Sequence, residues 1–571
     1  MTSDLSHTRP IGMASGTTAA SPWLFGPVLD LGIGCGLLYV LTLPLLVGLT
    51  ATTGAAEWSI LWIGLFATFI NAPHYGATLV RVYEQRADRR RYAFFTVWVT
   101  LGVIAAFLVG VRVAIVGSLL ITLYVSWSPW HFSGQNFGLA VMFLRRSGVA
   151  IPPLARSLLR TSFFLAFVLA FLAMHVEASN AVYAPGATSL SDAYRVLRLD
   201  VPRALGGSLF AGVALAYAGC LVVAGGLLAR VASWRSLVPV GGLVITEALW
   251  FVVPAAFQLS GNVPAYALPF AAIWISTAHS AQYLWVSTYY ARRSAPHPAA
   301  TSFLAKSLAA GSAAIVLPGV LFMPALLGHV SWSAGLASLV FSVVNLHHFM
   351  LDGAIWKLRD GRVARVLLRP GGDDDDASEA RPSSSWLRRS VWAVGAVCVL
   401  VPLVQTYEMS FGMTNPDDVA RLERTVRHLA WIGRDSPIAW LSLGAAREFA
   451  GEIDPAIEAY RQTLAVEPEH PGAMNRLARS LSVYYAEDAE RVAEARRMAE
   501  RAVEVGKHNP YFLETLAIVQ ATQREFADAE RTARQAVAIA RARGDRQLAA
   551  EIEARIARFQ AARREDAKRD G

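Results

Sequence analysis

Residues 333–356 read SAGLASLVFSVVNLHHFMLDGAIW. Serines apart, the run is apolar except for Asn345, His347, His348 and Asp352. A stretch of this length and character crosses a bilayer as one helix. Similar stretches predict spanning helices over 26–49, 58–80, 92–111, 113–142, 157–176, 205–230, 236–257, 264–290, 304–328 and 390–407. With 333–356 they make about eleven. Arg112 marks the division inside 92–142. The fold class expected is all-α: a polytopic transmembrane bundle, then a helical tail.

Composition points the same way. Of 571 residues, 54% are hydrophobic and 17% charged. An ordinary soluble domain carries about 25% charged residues. Cys35, Cys220 and Cys398 each sit in an apolar run, which excludes a disulfide framework and a cysteine zinc site. The net charge of +9 comes from basic loops and does not imply nucleic acid as a partner. No phosphate loop, dinucleotide glycine pattern or serine nucleophile elbow is present.

The loops define an orientation. Arg81, Arg86 and Arg89–Arg91 follow the second run, Arg145 and Arg146 the fourth, Arg230 and Arg235 the sixth. Arg292 and Arg293 follow the eighth, and Lys357, Arg359, Arg362, Arg365 and Arg369 the tenth. Residues 51–57, 258–263 and 328–333 are nearly free of Lys and Arg. In a bacterial inner membrane, basic loops stay inside. The amino terminus is then cytoplasmic, and an odd helix count puts the tail outside. Domains follow: a polar, disordered 1–22 without a signal-peptide pattern, a membrane domain over 23–370, and an acidic, Ser-rich linker over 371–389 with Asp373–Asp376. The last spanning helix is 390–407, and a soluble domain covers 415–571.

That last domain repeats itself. In 437–468, Trp440, Leu443, Gly444, Ala456, Tyr460 and Pro468 stand in the spacing W-x2-L-G, A-x3-aromatic, P. They resemble the tetratricopeptide repeat. A second copy starts near Pro471 with Leu477 and Ala478, and a third near Pro510 with Leu513, Leu516, Ala517, Ala529, Ala533 and Ala536. Residues 545–562 would cap the stack. The resemblance implies an α-solenoid with a concave surface for a protein or peptide partner. The alternative is a helical stalk without a ligand.

The chemistry-bearing residues lie in the membrane runs. Imidazoles are costly in lipid and mark functional sites there. His74 lies in Asn71-Ala-Pro-His-Tyr-Gly76, and His131 in Trp127-Ser-Pro-Trp-His-Phe-Ser-Gly-Gln-Asn136. His279 lies in Thr277-Ala-His-Ser-Ala-Gln-Tyr283, and His347 and His348 in Asn345-Leu-His-His-Phe-Met-Leu-Asp352. Their runs all point from outside to inside. The basic residue that follows each is seven, fourteen, thirteen or ten positions later. At about 1.5 Å per residue the imidazoles fall within about 10 Å of one another in depth. One layer of neutral imidazoles holds iron, copper, zinc or nickel, and haem iron with two facing histidines. Asp352, four residues after His348, faces the same side and braces a ligand, which favours His348 over His347. Gln282 and Asn71 are further bracing candidates. Glu247, in mid-helix, is a candidate carboxylate for orienting a ligand from behind or for relaying a proton.

Pro73-His74-Tyr75-Gly76-Ala77 and Trp130-His131-Phe132-Ser133-Gly134 resemble the Pro-His-Gly-Ala and Trp-His-Phe-Gly patterns of the Brp/Blh-type carotene dioxygenases. Tyr75 and Ser133 are extra, and the acidic residues that follow in that family are absent. The resemblance implies a non-haem iron held by histidines of several membrane helices. It does not carry the carotenoid over. The expected function is a membrane metal-dependent oxidoreductase, with iron on His74, His131, His279 and His347 or His348. Its lipophilic substrate would enter from the bilayer. The competing readings are a haem-binding assembly or electron-transfer protein and a lipid-linked glycosyltransferase with a repeat tail.

Overall fold

The computed structural model describes residues 22–42, 56–84, 86–177, 193–260, 267–294, 300–356, 361–368, 385–506 and 509–569. Most of the acidic linker and the basic stretch 357–360 lie outside them. Among the described residues the structure is helical, with one isolated bridge between Val176 and Val201 and no strand.

Among the described residues, seven helices are long and apolar enough to cross a membrane: Phe94–Arg112, Pro153–His175, Arg203–Ala229, Trp234–Ser260, Ala300–Leu321, Trp332–Ile355 and Arg389–Gly412. Leu215 and Val222 on one of them are 76% and 75% exposed, as lipid-facing side chains must be. Ala114–Arg146 (33 residues) and Ala267–Ser294 (28 residues) are longer still. So is the continuous helical stretch 56–83. These three carry His131, His279 and His74, and their polar side chains dilute the apolar character that the other seven keep. The expected run 26–49 is not one helix. It breaks at Gly36, whose φ of +75° suits glycine. Residues 43–55 lie outside the described part. Asp30, inside the segment before the break, accepts from Leu24 N (2.5 Å), Phe25 N (3.1 Å) and Trp285 Nε1 (2.9 Å).

The two ends of the bundle differ. At one end Arg146 donates to the carbonyls of Leu367 (2.9 Å), Pro22 (3.1 Å) and Trp23 (3.1 Å). Arg81 lies between the rings of Trp356 and Tyr290, at 3.7 and 4.1 Å. At the other end the tail docks. Ser331 Oγ donates to the Val466 carbonyl at 2.8 Å, and Arg434 stacks 3.6 Å over Trp332.

The tail itself is a row of helices: Val419–Trp431, Pro437–Phe449, Ile453–Val466, Pro471–Tyr484, Ala489–Val505, Pro510–Thr522, Phe526–Ala542 and Arg546–Arg569. Local chemistry starts them. Ser436, His470 and Asn509 cap three helices that begin with proline, which lacks the N–H a first turn cannot use. Gly451 and Gly544 end two hairpin helices at positive φ. Gly444 lies against the Tyr460 ring, where any side chain would collide. Tyr460 is fully buried with Ala456 and Leu477. Truncating such an aromatic costs about 3–5 kcal/mol. Expressed alone, 415–571 is expected to melt cooperatively, and Tyr460→Ala to lower its unfolding free energy by that amount in urea titration. An unchanged midpoint would contradict the packing.

Candidate metal centre

Two prolines shape the helices that bear the site. Pro73 has no N–H to give the preceding turn, and the helix widens over Ala67–Asn71 into a π turn before His74. Pro129 lies inside Ala114–Arg146, two residues before His131. Gly76 and Gly311 then let two helices meet backbone to backbone. A Cβ on Gly76 would strike the Ser307 carbonyl, and one on Gly311 the Ala72 carbonyl. Small residues at such crossings are how membrane helices approach closely.

Four imidazoles converge. Ring centroids are 4.2 Å apart for His74 and His348, 4.9 Å for His74 and His279, and 5.1 Å for His131 with both His279 and His348. Donor nitrogens of His74, His279 and His348 all lie within 4.8 Å of one another, as do those of His131 and His348 with a carboxylate oxygen of Asp352. His74, His279 and His348 are buried to within 2% exposure. A packing histidine in a membrane finds a partner on the next helix. Here His74 Nδ1, His131 Nε2, both nitrogens of His279 and His348 Nε2 are buried with no hydrogen-bond partner. Each such group costs about 1–3 kcal/mol if nothing engages it. The cluster therefore has the donor chemistry of a cation site.

His347 is the exception to the expected set. Neighbouring helical residues point about 100° apart, and His347 faces away. Its Nε2 bonds Thr100 Oγ1 at 2.9 Å, and Thr100 in turn bonds the Tyr83 hydroxyl at 2.7 Å. It packs, and it is not part of the cluster.

The spacing places Asp352 on the His348 face, and the structure puts it there, on the Nε2 side of the ring. Its Oδ2 is 3.4 Å from His348 Nε2 and 3.9 Å from His131 Nε2. The orienting contact belongs to Thr78, whose Oγ1 lies 2.9 Å from His348 Nδ1 and donates to Asp352 Oδ1 at 2.9 Å. The Tyr283 hydroxyl donates to the same oxygen at 2.8 Å and accepts from Trp356 Nε1 at 3.0 Å. Thr78 has one proton for three neighbours, Asp352 Oδ1, His348 Nδ1 and the Tyr283 hydroxyl at 2.5 Å; when it goes to Asp352, His348 Nδ1 donates to Thr78 and Nε2 keeps a lone pair. That lone pair and a carboxylate oxygen face each other at 3.4 Å. A cation between them resolves the conflict. Thr78→Val is expected to weaken metal binding about 10–100-fold, read by competition with a chelator. An unchanged affinity would remove Thr78 from the site.

Glu247 does not touch the imidazoles. It lies behind the His131 helix, accepting from Ser133 Oγ (2.5 Å) and Asn136 Nδ2 (2.8 Å). Gln282 bonds Gly34 and Asn136 rather than a histidine.

The residues that sequence reasoning missed share a signal. Thr78 follows His74 by four positions, Gln135 follows His131, and Tyr283 follows His279, as Asp352 follows His348. Each imidazole helix so carries a polar side chain one turn below on the same face.

A cavity of about 310 Å³ opens beside the cluster. Its polar wall is His131, Gln135, Tyr283 and Asp352; its apolar wall includes Trp127, Trp130, Phe349, Met142 and Leu367. Trp127 and Trp130 are 38% and 44% exposed on the flank of the bundle. Compared with known protein families and with curated proteins, the chain matches none.

Proposed function

We propose that the chain is a membrane metal-dependent oxidoreductase, with a single iron on His74, His131, His279 and His348 and a lipophilic substrate in the cavity beside it. The observation that carries this reading is the set of buried, unpartnered imidazole nitrogens, two of which, His348 Nε2 and His131 Nε2, lie 3.4 and 3.9 Å from Asp352 Oδ2. His348 is the residue that both groups of donors share, which supports one ion between them. Two histidines and one carboxylate are the donor set of non-haem iron oxygenases. His131, His348 and Asp352 would contribute that set, with His74 and His279 as further ligands of the same ion. Iron bound there would supply one-electron chemistry toward dioxygen. The protein's part is to hold and to shield. Thr78 and Tyr283 fix Asp352. Phe132 stacks on His279 at 3.8 Å and Phe349 on His131 at 4.2 Å, which keeps water from the nitrogens.

Haem is the weaker alternative, because four imidazoles packed at 4.2–5.1 Å leave no slot for a porphyrin. Copper and zinc remain outcomes of the metal analysis. The cavity's exposed tryptophans support entry from lipid. We read the tail as a stack of tetratricopeptide repeats that recruits a protein partner, supported by the Gly444–Tyr460 contact. Docking of that tail at the end opposite Arg81 and Arg146 supports a cytoplasmic amino terminus and an external tail.

The test is metal analysis and electron paramagnetic resonance of the detergent-purified, full-length protein from iron-supplemented cells. One non-haem iron per chain is expected. Protein that stays in the membrane fraction yet takes up no transition metal would overturn the reading.

A further inference from the structure

The amides beside Glu247 form a chain that ends in the cavity. Glu247 Oε2 takes a hydrogen from Asn136 Nδ2 at 2.8 Å, so Asn136 turns its Oδ1 the other way. That oxygen accepts from Gln282 Nε2 at 3.0 Å. Gln282 Nε2 also donates to the Gly34 carbonyl at 2.9 Å. A backbone carbonyl only accepts, so the Gln282 amide has one allowed orientation. Its Oε1 then receives Gln135 Nε2 at 2.5 Å. Gln135 is held with one N–H committed and with Oε1 turned from Gln282. Among the described residues no hydrogen bond engages that oxygen, and Gln135 lines the cavity.

The other polar side chains of that wall belong to the cluster. Tyr283 gives its proton to Asp352, and His131 and Asp352 face the imidazole cluster. Gln135 stands one turn from His131 on the same helix, about 6 Å along the axis. Around it the cavity is apolar, with Gly138, Leu139 and Val286 below.

We propose that Gln135 is a specificity residue that recognises a hydroxyl on a long-chain lipid alcohol lying in this cavity. The proposal rests on the cavity being the substrate site of the reading above. A hydroxyl both donates and accepts. It satisfies Gln135 Oε1 and the second Nε2 hydrogen together. An ether of the same shape only accepts and leaves Oε1 unpaired in an apolar wall. One such mismatch is worth about tenfold in affinity.

The experiment uses the full-length protein purified in detergent, with metal content measured on every sample. Saturable binding of tritiated octadecanol is compared with that of its methyl ether. The alcohol is expected to bind about tenfold tighter. Gln135→Met should bring the ratio to one and leave metal content unchanged. Gln135→Leu repeats the test with a different shape. Gly138→Leu, which fills the cavity where a Cβ now meets nothing within 4 Å, should weaken both probes alike. An alcohol-to-ether ratio that survives both Gln135 variants overturns the proposal, as does the absence of saturable binding by either probe. A tenfold ratio lost in Gln135→Met, in protein without metal, supports the proposal and sinks the iron reading instead.

Discussion

Gly311→Leu is expected to strip the metal from the protein, although Gly311 bears no ligand. Its helix, Ala300–Leu321, lies against the His74 helix with the two backbones in contact. A Cβ at Gly311 collides with the Ala72 carbonyl, which is backbone and cannot swing aside. Ordinary overpacking of a core costs about 1–3 kcal/mol because side chains shift. Here only a helix can move. Ala72 precedes His74 by two residues, so that movement carries the imidazole with it. Metal–nitrogen bonds of about 2 Å tolerate displacements of about 0.5 Å. Bound metal should fall at least about tenfold, while the protein stays helical and in the membrane. Gly219→Leu is the control. It lies on a spanning helix, and a Cβ there meets nothing within 4 Å. Full metal content in Gly311→Leu would show that the helix crossing does not position His74.

His348→Ala is the second large effect. His348 is the one histidine common to both donor groups, and its Nδ1 is the one tied to Thr78. Loss of an outer partner costs about 10–100-fold in metal affinity, and loss of the ligand itself should exceed that. His131→Ala removes a donor from one group alone and is expected to cost less. His347→Ala should leave metal content unchanged, because that ring bonds Thr100 on the far face of the helix. The ordering is read by chelator competition on the purified variants. Equal losses in His347→Ala and His348→Ala would mean that the helix face is wrongly assigned.

Spacing alone chose His348 over His347. Asp352 lies four residues after His348, and that interval fixes a shared face whatever the helix packs against. The same interval placed Thr78, Gln135 and Tyr283 below the other imidazoles. They went unread because a threonine, glutamine or tyrosine at that distance is ordinary in any helix. Their role appears only when four helices bring them to one level. Asp352 shows the limit most clearly. Its face was legible, but its task was not, since the brace on His348 comes from Thr78, 270 positions away.

What the chain determined by itself was therefore local. Apolar runs set the membrane helices, because backbone in lipid must bond within its own segment. Depth set the imidazole layer, because rise per residue is constant. Capped prolines at 437, 471 and 510 set the starts of three tail helices. What tertiary structure decided was non-local. It broke the first expected run at Gly36, moved Glu247 behind the His131 helix and turned Asp352 toward the cluster. The meeting of Gly76 with Ser307 and Gly311 belongs to the same group. Periodicity states which residues share a face, but which faces meet depends on shape complementarity between segments far apart in the chain.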